Sequence, residues 1–531
     1  MLESSNLMLP RTTYNFIIAG GGIGGLTVAI DWPKIRTALI FLVASVVIEY
    51  GPINKGEPYI LVHLNNATYS VLIGQCIGGG STVNAMFLQR CPAVDYDSWE
   101  ALGNPGWGWN SLLPYFKRSE NFTAPNPAFT QQSNITHSTM SMVSTAQCTQ
   151  AMPHTLIPEV AGRFWNAALA LGIPIDPDPN SGKNTGLFTS LKALNAGTET
   201  RSYLKLLIMI DTAVSKVLFK DKTAVGVEYR LVGTNQVFSA TACNGVISAA
   251  GAVHSPQILQ FSGVGPKALL QSLGIPVVLD LPGVGTNFQD QLNMPVTYNF
   301  TSNVFPNADS LQNNVTFFAE QLALYNSAHQ GALTLTAQTG NNIVSLYLKE
   351  TTSNWKALIA LAASQDPASL LPPGSDPTQI LQLYISYSSA IGSISWNTGA
   401  TTSVYQVKPL SRGTIKINST NIFDNLLVDF GALTDPTDIE LVLALIRGIR
   451  AQINPPIAHE CCTLSMAPLK YGGVVDSDRL VYGLKGLREA DVSVWPFSPP
   501  GSAPSATAYA VGEKVSDPVV RESRHIWLTF K

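Results

Sequence analysis

Residues 14 to 30 read YNFIIAGGGIGGLTVAI, and the fold turns on this stretch. Phe16 to Ala19 form a short apolar run, Gly20 breaks it, and a helical pattern resumes after Gly25. The order is strand, tight turn, helix. Gly20, Gly22 and Gly25 fit G-x-G-x-x-G: the first makes the turn, the second lets a pyrophosphate approach the backbone, and the third lets helix and strand pack closely. The helix start then presents unpaired N–H groups to the phosphates. A glycine-rich turn also serves ordinary strand-to-helix corners, so the motif needs its context. The next apolar run, residues 38 to 48 (ALIFLVASVVI), reads as a buried parallel strand. It leads to Glu49, which is spaced to accept hydrogen bonds from a ribose 2′-OH. Pro33 cuts the first helix short.

At 531 residues the chain exceeds one common domain, so two domains or one large core with insertions are expected. Apolar residues make up 45% and charged residues 13%, with 42 Gly and 34 Pro, which describes a packed, loop-rich globular protein. The net charge is −3 and no Lys/Arg run is present to neutralise phosphates, so nucleic acid is not expected as a partner. The run from 38 to 48 falls short of the ~20 residues a bilayer span requires, so no membrane association is expected either. Residues 1 to 15 hold no apolar core typical of a secretory signal, which places the chain as given in the cytoplasm. A secreted form would require further sequence ahead of Met1. Asn-X-Ser/Thr occurs at Asn66, Asn121, Asn134, Asn299, Asn314 and Asn418, close to chance, and leaves glycosylation open.

Two more glycine-rich stretches follow. GQCIGGGSTVN (74 to 84) concentrates backbone N–H donors where a flat or anionic group could come close. GAVHSPQILQFSGVGP (251 to 266) follows the apolar strand GVISAA and leads into a helix interrupted at Gly263 and Gly265. The six cysteines are too few for a disulfide scaffold and none forms CxxC. His459 stands two residues before the adjacent Cys461 and Cys462, with no second His/Cys set nearby, so no metal is expected. The histidine by itself is compatible with a base or with an ordinary packed side chain, and the two cysteines read as packing residues.

Taken together these stretches resemble the glucose–methanol–choline (GMC) flavin oxidoreductase family. GAVHSPQILQFSGVG reproduces its second signature, and GQCIGGGSTVNAMF follows its first, except that Gln75 stands where a basic residue is usual. WEALGNPGWGWNSLLPYFKRSE (99 to 120), LPGVGTNFQD (281 to 290) and VVDSDRLVYGLKGLREADVSVWP (474 to 496) are similar to further family blocks. The similarity is greatest to the fungal aryl-alcohol oxidase-like and secondary-metabolite branch. It implies an α/β fold, a Rossmann-like FAD-binding domain interleaved with a mixed α+β substrate-binding domain. The expected FAD-binding segments are 1–90, 195–300 and 445–531, with the substrate-binding domain at 91–194 and 301–444.

The resemblance implies FAD, with Gly20, Gly22, Gly25 and Glu49 on the ADP half and Gly79 and Ser81 in the first signature. Val214 matches a backbone contact to adenine, Asn84 a residue beside the flavin ring, and Asp491 and Thr507 contacts near pyrophosphate and ring. Residues 74 to 90 contain no histidine, so FAD is expected to be noncovalent. His459 matches the family histidine in front of the flavin N5, where a neutral imidazole is a suitable base for an alcohol. The partners implied are a small-molecule alcohol, aromatic or allylic and primary, and O₂ or another electron acceptor. The chain departs from the pattern at Ala503, where the family has His or Asn, at Cys462 in place of Gly, at Gln291 in place of His, and in a short region from 50 to 73. Three readings stay open: an alcohol oxidase or dehydrogenase, a cyclase or isomerase that keeps FAD as a structural part, and a degenerate member with weak or no activity.

Overall fold

The computed structural model describes residues 13–30, 38–41, 59–61, 67–69, 74, 78–84, 86–123, 148–151, 165–189, 191–195, 200–201, 212–231, 234, 236–299, 310, 313–328, 331–332, 342–345, 348–364, 393–396, 399–449, 459–499 and 504–529. The strands that position the site are β1 (Thr13–Ala19), β2 (Ala38–Phe41), β3 (Thr212–Lys220), β4 (Thr223–Leu231), β5 (Val237–Ser248), β6 (Leu292–Asn299), β7 (Ser393–Trp396), β8 (Gly399–Gln406) and β9 (Leu487–Glu489). The helices are α1 (Ile23–Ile30), α2 (Ala93–Ala101), α3 (Trp109–Ser119), α4 (Gly251–Phe261) and α5 (Ser505–Thr529). Of the motif-bearing residues, Glu49 and Ala503 lie outside the described residues, as does most of 50 to 73.

One sheet of six strands runs β3-β4-β5-β1-β2, with β9 also on β5. The long strand β5 makes this arrangement possible. Its first half pairs antiparallel with β4, from Arg230↔Val237 to Gly226↔Thr241, and its last three residues pair parallel with β9 on the same edge. Its other edge takes β1 in parallel, and β1 in turn takes β2. Phe16, Ile17 and Ile18 are all buried, as expected for a parallel strand covered on both faces. The result is the α/β, Rossmann-like architecture that the family resemblance implied.

A second, antiparallel sheet has the order β6-β8-β7. Strand β6 begins at Leu292, opposite Gln406 at the end of β8, so residues 289 to 291 form the junction between the two sheets. The main core is continuous from β1 and β5 to α2, α3 and α5: Tyr96, Trp99, Trp107 and Phe116 pack in the same cluster as Phe16, Ile247 and Tyr509. Trp99 meets Trp495 at 6.0 Å and Phe497 at 6.2 Å between ring centroids, which ties α2 to the segment after β9. Buried Arg90 pairs with buried Glu120 through Nε at 3.1 Å to both carboxylate oxygens, so neither charge is left alone in the interior. Among the described residues no helix is long and apolar enough to cross a membrane.

Candidate active site

The parallel strands end level with one another. Ala19 of β1 pairs with Ser248 of β5, and Ser248 pairs with Glu489 of β9. After these residues the chain turns, bringing Gly20–Gly22, Ala249–Gly251 and Ala490–Asp491 to the carboxyl edge of the sheet, where open α/β folds collect their ligands. Gly20 has φ +115°, and a Cβ there would lie 2.1 Å from Ala249 O. No other residue fits that turn. A Cβ on Gly25 would lie 2.2 Å from Gly20 O, so this glycine sets the close approach of α1 to the turn. Gly22 is different, because a Cβ there meets nothing within 4 Å.

The first-signature stretch lies directly against this opening. Gly78 N donates to Gly21 O at 2.9 Å, and a Cβ on Gly79 would come within 2.9 Å of Gly22 Cα. Ser81 Oγ donates to Gly78 O at 2.8 Å and holds the turn closed. Two glycine backbones and the start of α1 thus face an open space, a cradle suited to a pyrophosphate. Gly22→Val should therefore leave the apoprotein's thermal midpoint within a few degrees, since a Cβ there meets no protein atom within 4 Å. Its flavin content after gel filtration should fall at least about tenfold, by loss of the close backbone approach. Full flavin retention in Gly22→Val would show that the cradle holds no phosphate.

Asp491 closes the same edge from 240 residues away in sequence. Its Oδ2 accepts from Gly251 N at 2.7 Å and Ser255 Oγ at 2.6 Å, and its Oδ1 accepts from Ser493 N at 2.7 Å. Ser255 Oγ accepts in turn from Ala250 N at 3.0 Å and Ser248 Oγ at 3.2 Å. The carboxylate is a remote cap for α4, whose first N–H groups have no partner within the helix. Glu489, fully buried beside it, is held well above the ordinary carboxylate range, by burial first and by the Asp491 carboxylate second, against the Ser248 hydroxyl.

His459 is fixed by the residues that follow it. Cys461 exchanges backbone hydrogen bonds with Gln289, Cys462 N donates to Val492 O at 3.1 Å, and Leu464 N donates to Ser493 O at 2.9 Å. Pro256 inside α4 cannot bond the Ala252 carbonyl one turn back, and Thr463 Oγ1 donates to it instead at 2.6 Å. The histidine stretch is thus tied to the second-signature helix, to the Asp491 loop and to the inter-sheet junction. Cys461 and Cys462, read from the sequence as packing residues, are buried and joined to each other by a disulfide. Cys462 takes the left-handed conformation, φ 76°.

Around His459 the junction supplies polar groups that the sequence reading did not single out as functional. His459 N donates to Asp290 Oδ1 at 3.1 Å, and its ring Nδ1 lies 3.0 Å from Gln291 Oε1. Burial lowers the partly exposed imidazole to about 4, so it is neutral at physiological pH. Burial pushes Asp290 up to about 7 against the N–H groups of His459 and Gln291. Glu460 is raised well above its ordinary value, by burial first and by Asp290 second. Asp290 Oδ2 and Glu460 Oε1 are buried and meet no hydrogen-bond partner among the described residues. Two acids with no Lys or Arg beside them, in FQDQL and AHECC, were the available sequence signal for this cluster.

The remaining expected residues are less uniformly placed. Asn84 ends the turn after Gly80–Val83, with its Nδ2 donating to Ser505 Oγ at 3.1 Å and its Oδ1 accepting from Met86 N at 3.0 Å. Thr507 is fully buried in α5, and its hydroxyl is bonded to Tyr96 OH at 2.8 Å. Val214 is buried in β3, separated from β1 by β4 and β5 in the strand order. The structure therefore gathers Gly20, Gly22, Gly25, Gly79, Ser81 and Asp491 at one sheet edge, with His459 tied to it through residues 461 to 464.

Models of the GMC oxidoreductase family match residues 14–293 and 444–512. The chain is 36% identical to the dehydrogenase xptC of Emericella nidulans, over 97% of this chain and 94% of that protein. A solved FAD-dependent oxidoreductase from Chaetomium thermophilum shares 38% identity with a TM-score of 0.87, over 96% of this chain and 100% of that one. A fungal aryl-alcohol oxidase structure shares 28% identity with a TM-score of 0.85, over 97% of this chain and 100% of that one. The cradle of glycines, the capped second-signature helix and this coverage agree: the chain belongs to the GMC oxidoreductase family, whose members are FAD-dependent oxidoreductases acting on alcohols.

Proposed function

We propose that the protein oxidises a primary aromatic or allylic alcohol in fungal secondary metabolism, with His459 as the base that takes the hydroxyl proton. The observation that carries this reading is a neutral histidine anchored, through Cys461 to Leu464, to the sheet edge where the glycine cradle opens. Gly20, Gly22, Gly25, Gly79, Ser81 and Asp491 would hold or shape the site of FAD, and Asn84 and Thr507 would stand toward its flavin end. When bound, FAD supplies the acceptor for the carbinol hydride. His459 contributes an acceptor for the hydroxyl proton, and Cys461 to Thr463 contribute its orientation. Similarity to an aryl-alcohol oxidase structure supports the aromatic substrate class.

With no histidine between Gly74 and Arg90, the cofactor is assigned as noncovalent. The purified protein should be yellow, and acid should release all its flavin into the supernatant. Anaerobic addition of a benzylic or allylic primary alcohol should bleach the flavin, and readmitted air or an artificial acceptor should restore the colour at rates that separate an oxidase from a dehydrogenase. Flavin retained on the denatured chain would overturn noncovalent binding. Product formed without bleaching would overturn alcohol oxidation in favour of a cyclase or isomerase.

A further inference from the structure

The orientation of one buried amide bears on which nitrogen of His459 accepts the proton. Gln291 Oε1 lies 3.0 Å from His459 Nδ1. On its other side the amide Nε2 faces Val407 O at 3.4 Å, Ser498 Oγ at 3.5 Å and Pro499 O at 3.5 Å. The reversed amide would set its oxygen against two carbonyl oxygens and its NH₂ against the ring, so the amide nitrogen belongs with the carbonyls. An amide oxygen only accepts, hence Nδ1 of His459 carries the hydrogen. The lone pair is then on Nε2. Backbone and ring of His459 are held by adjacent residues, since Asp290 Oδ1 accepts from both His459 N and Gln291 N.

We infer that Gln291 is a positioning residue, which fixes His459 in the Nδ1–H tautomer and leaves Nε2 as the atom that accepts the hydroxyl proton. This rests on the reading of His459 as base. When Nε2 is protonated, Nδ1–H continues to donate to Gln291 Oε1, and no second proton moves. The partner is a neutral oxygen, which orients the ring without the added basicity a carboxylate would confer. The titratable groups facing His459 among the described residues are Asp290 from the junction and Glu460 from its own stretch. Ionisation of Asp290 as the pH rises would favour the imidazolium, so the acid limb of native and variant proteins is to be compared under one buffer series.

The test uses the FAD-loaded protein and stopped-flow flavin reduction by a benzylic alcohol across pH. Gln291→Leu should lower the limiting reduction rate about tenfold or more, as expected for loss of the productive tautomer, with alcohol dissociation changed less than about threefold. Gln291→Glu keeps an acceptor at Nδ1 and should recover most of that rate, with its acid limb displaced to higher pH. Nitrogen-15 spectra of histidine-labelled protein, with His459 identified by its loss in His459→Ala, should show a protonated Nδ1 and a bare Nε2. They read the tautomer even if Gln291→Leu does not fold. A protonated Nε2 in the native protein overturns the inference. So does a Gln291→Leu protein with native rate and native acid limb. If Gln291→Leu is native-like while His459→Ala is slow, the base reading stands and only the positioning role of Gln291 falls. If His459→Ala is itself native-like, both fall.

Discussion

Replacement of His459 by alanine should slow reduction of the bound flavin by a primary alcohol by about 10²-fold or more, the range for loss of a general base. That corresponds to about 2.7 kcal/mol or more of transition-state stabilisation. Alcohol binding should change much less, because the part proposed for this residue is to accept a proton that leaves only as the carbinol is oxidised. Folding should also survive: the substitution removes the ring's bond to Gln291 Oε1, worth roughly 1 kcal/mol, and keeps the backbone bond to Asp290. The pH dependence supplies the sharper signature. Burial lowers the imidazole to about 4, so the ring stays unprotonated well below the pH at which a free histidine would charge. Native reduction should hold its rate into mildly acidic solution and decline only as the pH falls toward about 4. In His459→Ala this acid limb should be missing. A variant that reduces its flavin at the native rate, limb included, would mean that His459 only packs.

Asp491→Ala should be the most damaging single change at the sheet edge. The carboxylate is almost fully buried and accepts from Gly251 N, Ser255 Oγ and Ser493 N, three donors on two segments. Removing it strands all three, at about 1 to 3 kcal/mol for each buried group left unpaired, so a loss of roughly 3 kcal/mol or more is expected. It also frees the start of α4 from the segment after β9, and the cradle beside Gly20 loses its fixed wall. Flavin content should collapse with stability. Asp491→Asn is a stringent control, because either orientation of its amide turns an NH₂ toward an N–H or O–H donor that the native oxygen accepts. It should recover only part of the loss. Chemical denaturation together with the flavin-to-protein ratio checks both variants, and a native midpoint with full flavin in Asp491→Ala would remove the residue from the site.

What could be read from the chain alone were features governed by neighbours in sequence. Gly20 and Gly25 are legible because a left-handed turn and a helix packed on its own strand admit no side chain, a local constraint that leaves its mark residue by residue. The buried run of β1 and the glycine-rich turn at 78 to 84 are of the same kind. Resemblance then carried the reading to His459 and Asp491, yet without what holds them. The partners of His459 lie 168 and 169 residues away, those of Asp491 in α4 lie 236 and 240 away, and Thr463 reaches Ala252 across 211. No periodicity or spacing encodes such pairs. They exist because β1, β5 and β9 end level and turn their loops into one place, and because β6 starts where the histidine stretch crosses. The sequence by itself determined that a strand, a tight glycine turn and a helix would follow one another from Thr13 to Ile30. Only the tertiary structure decided that Gln291 would face the ring of His459 and that Asp491 would cap a distant helix, since hydrogen-bond partners in a buried site are chosen by which chain ends the sheet brings within about 3 Å of one another.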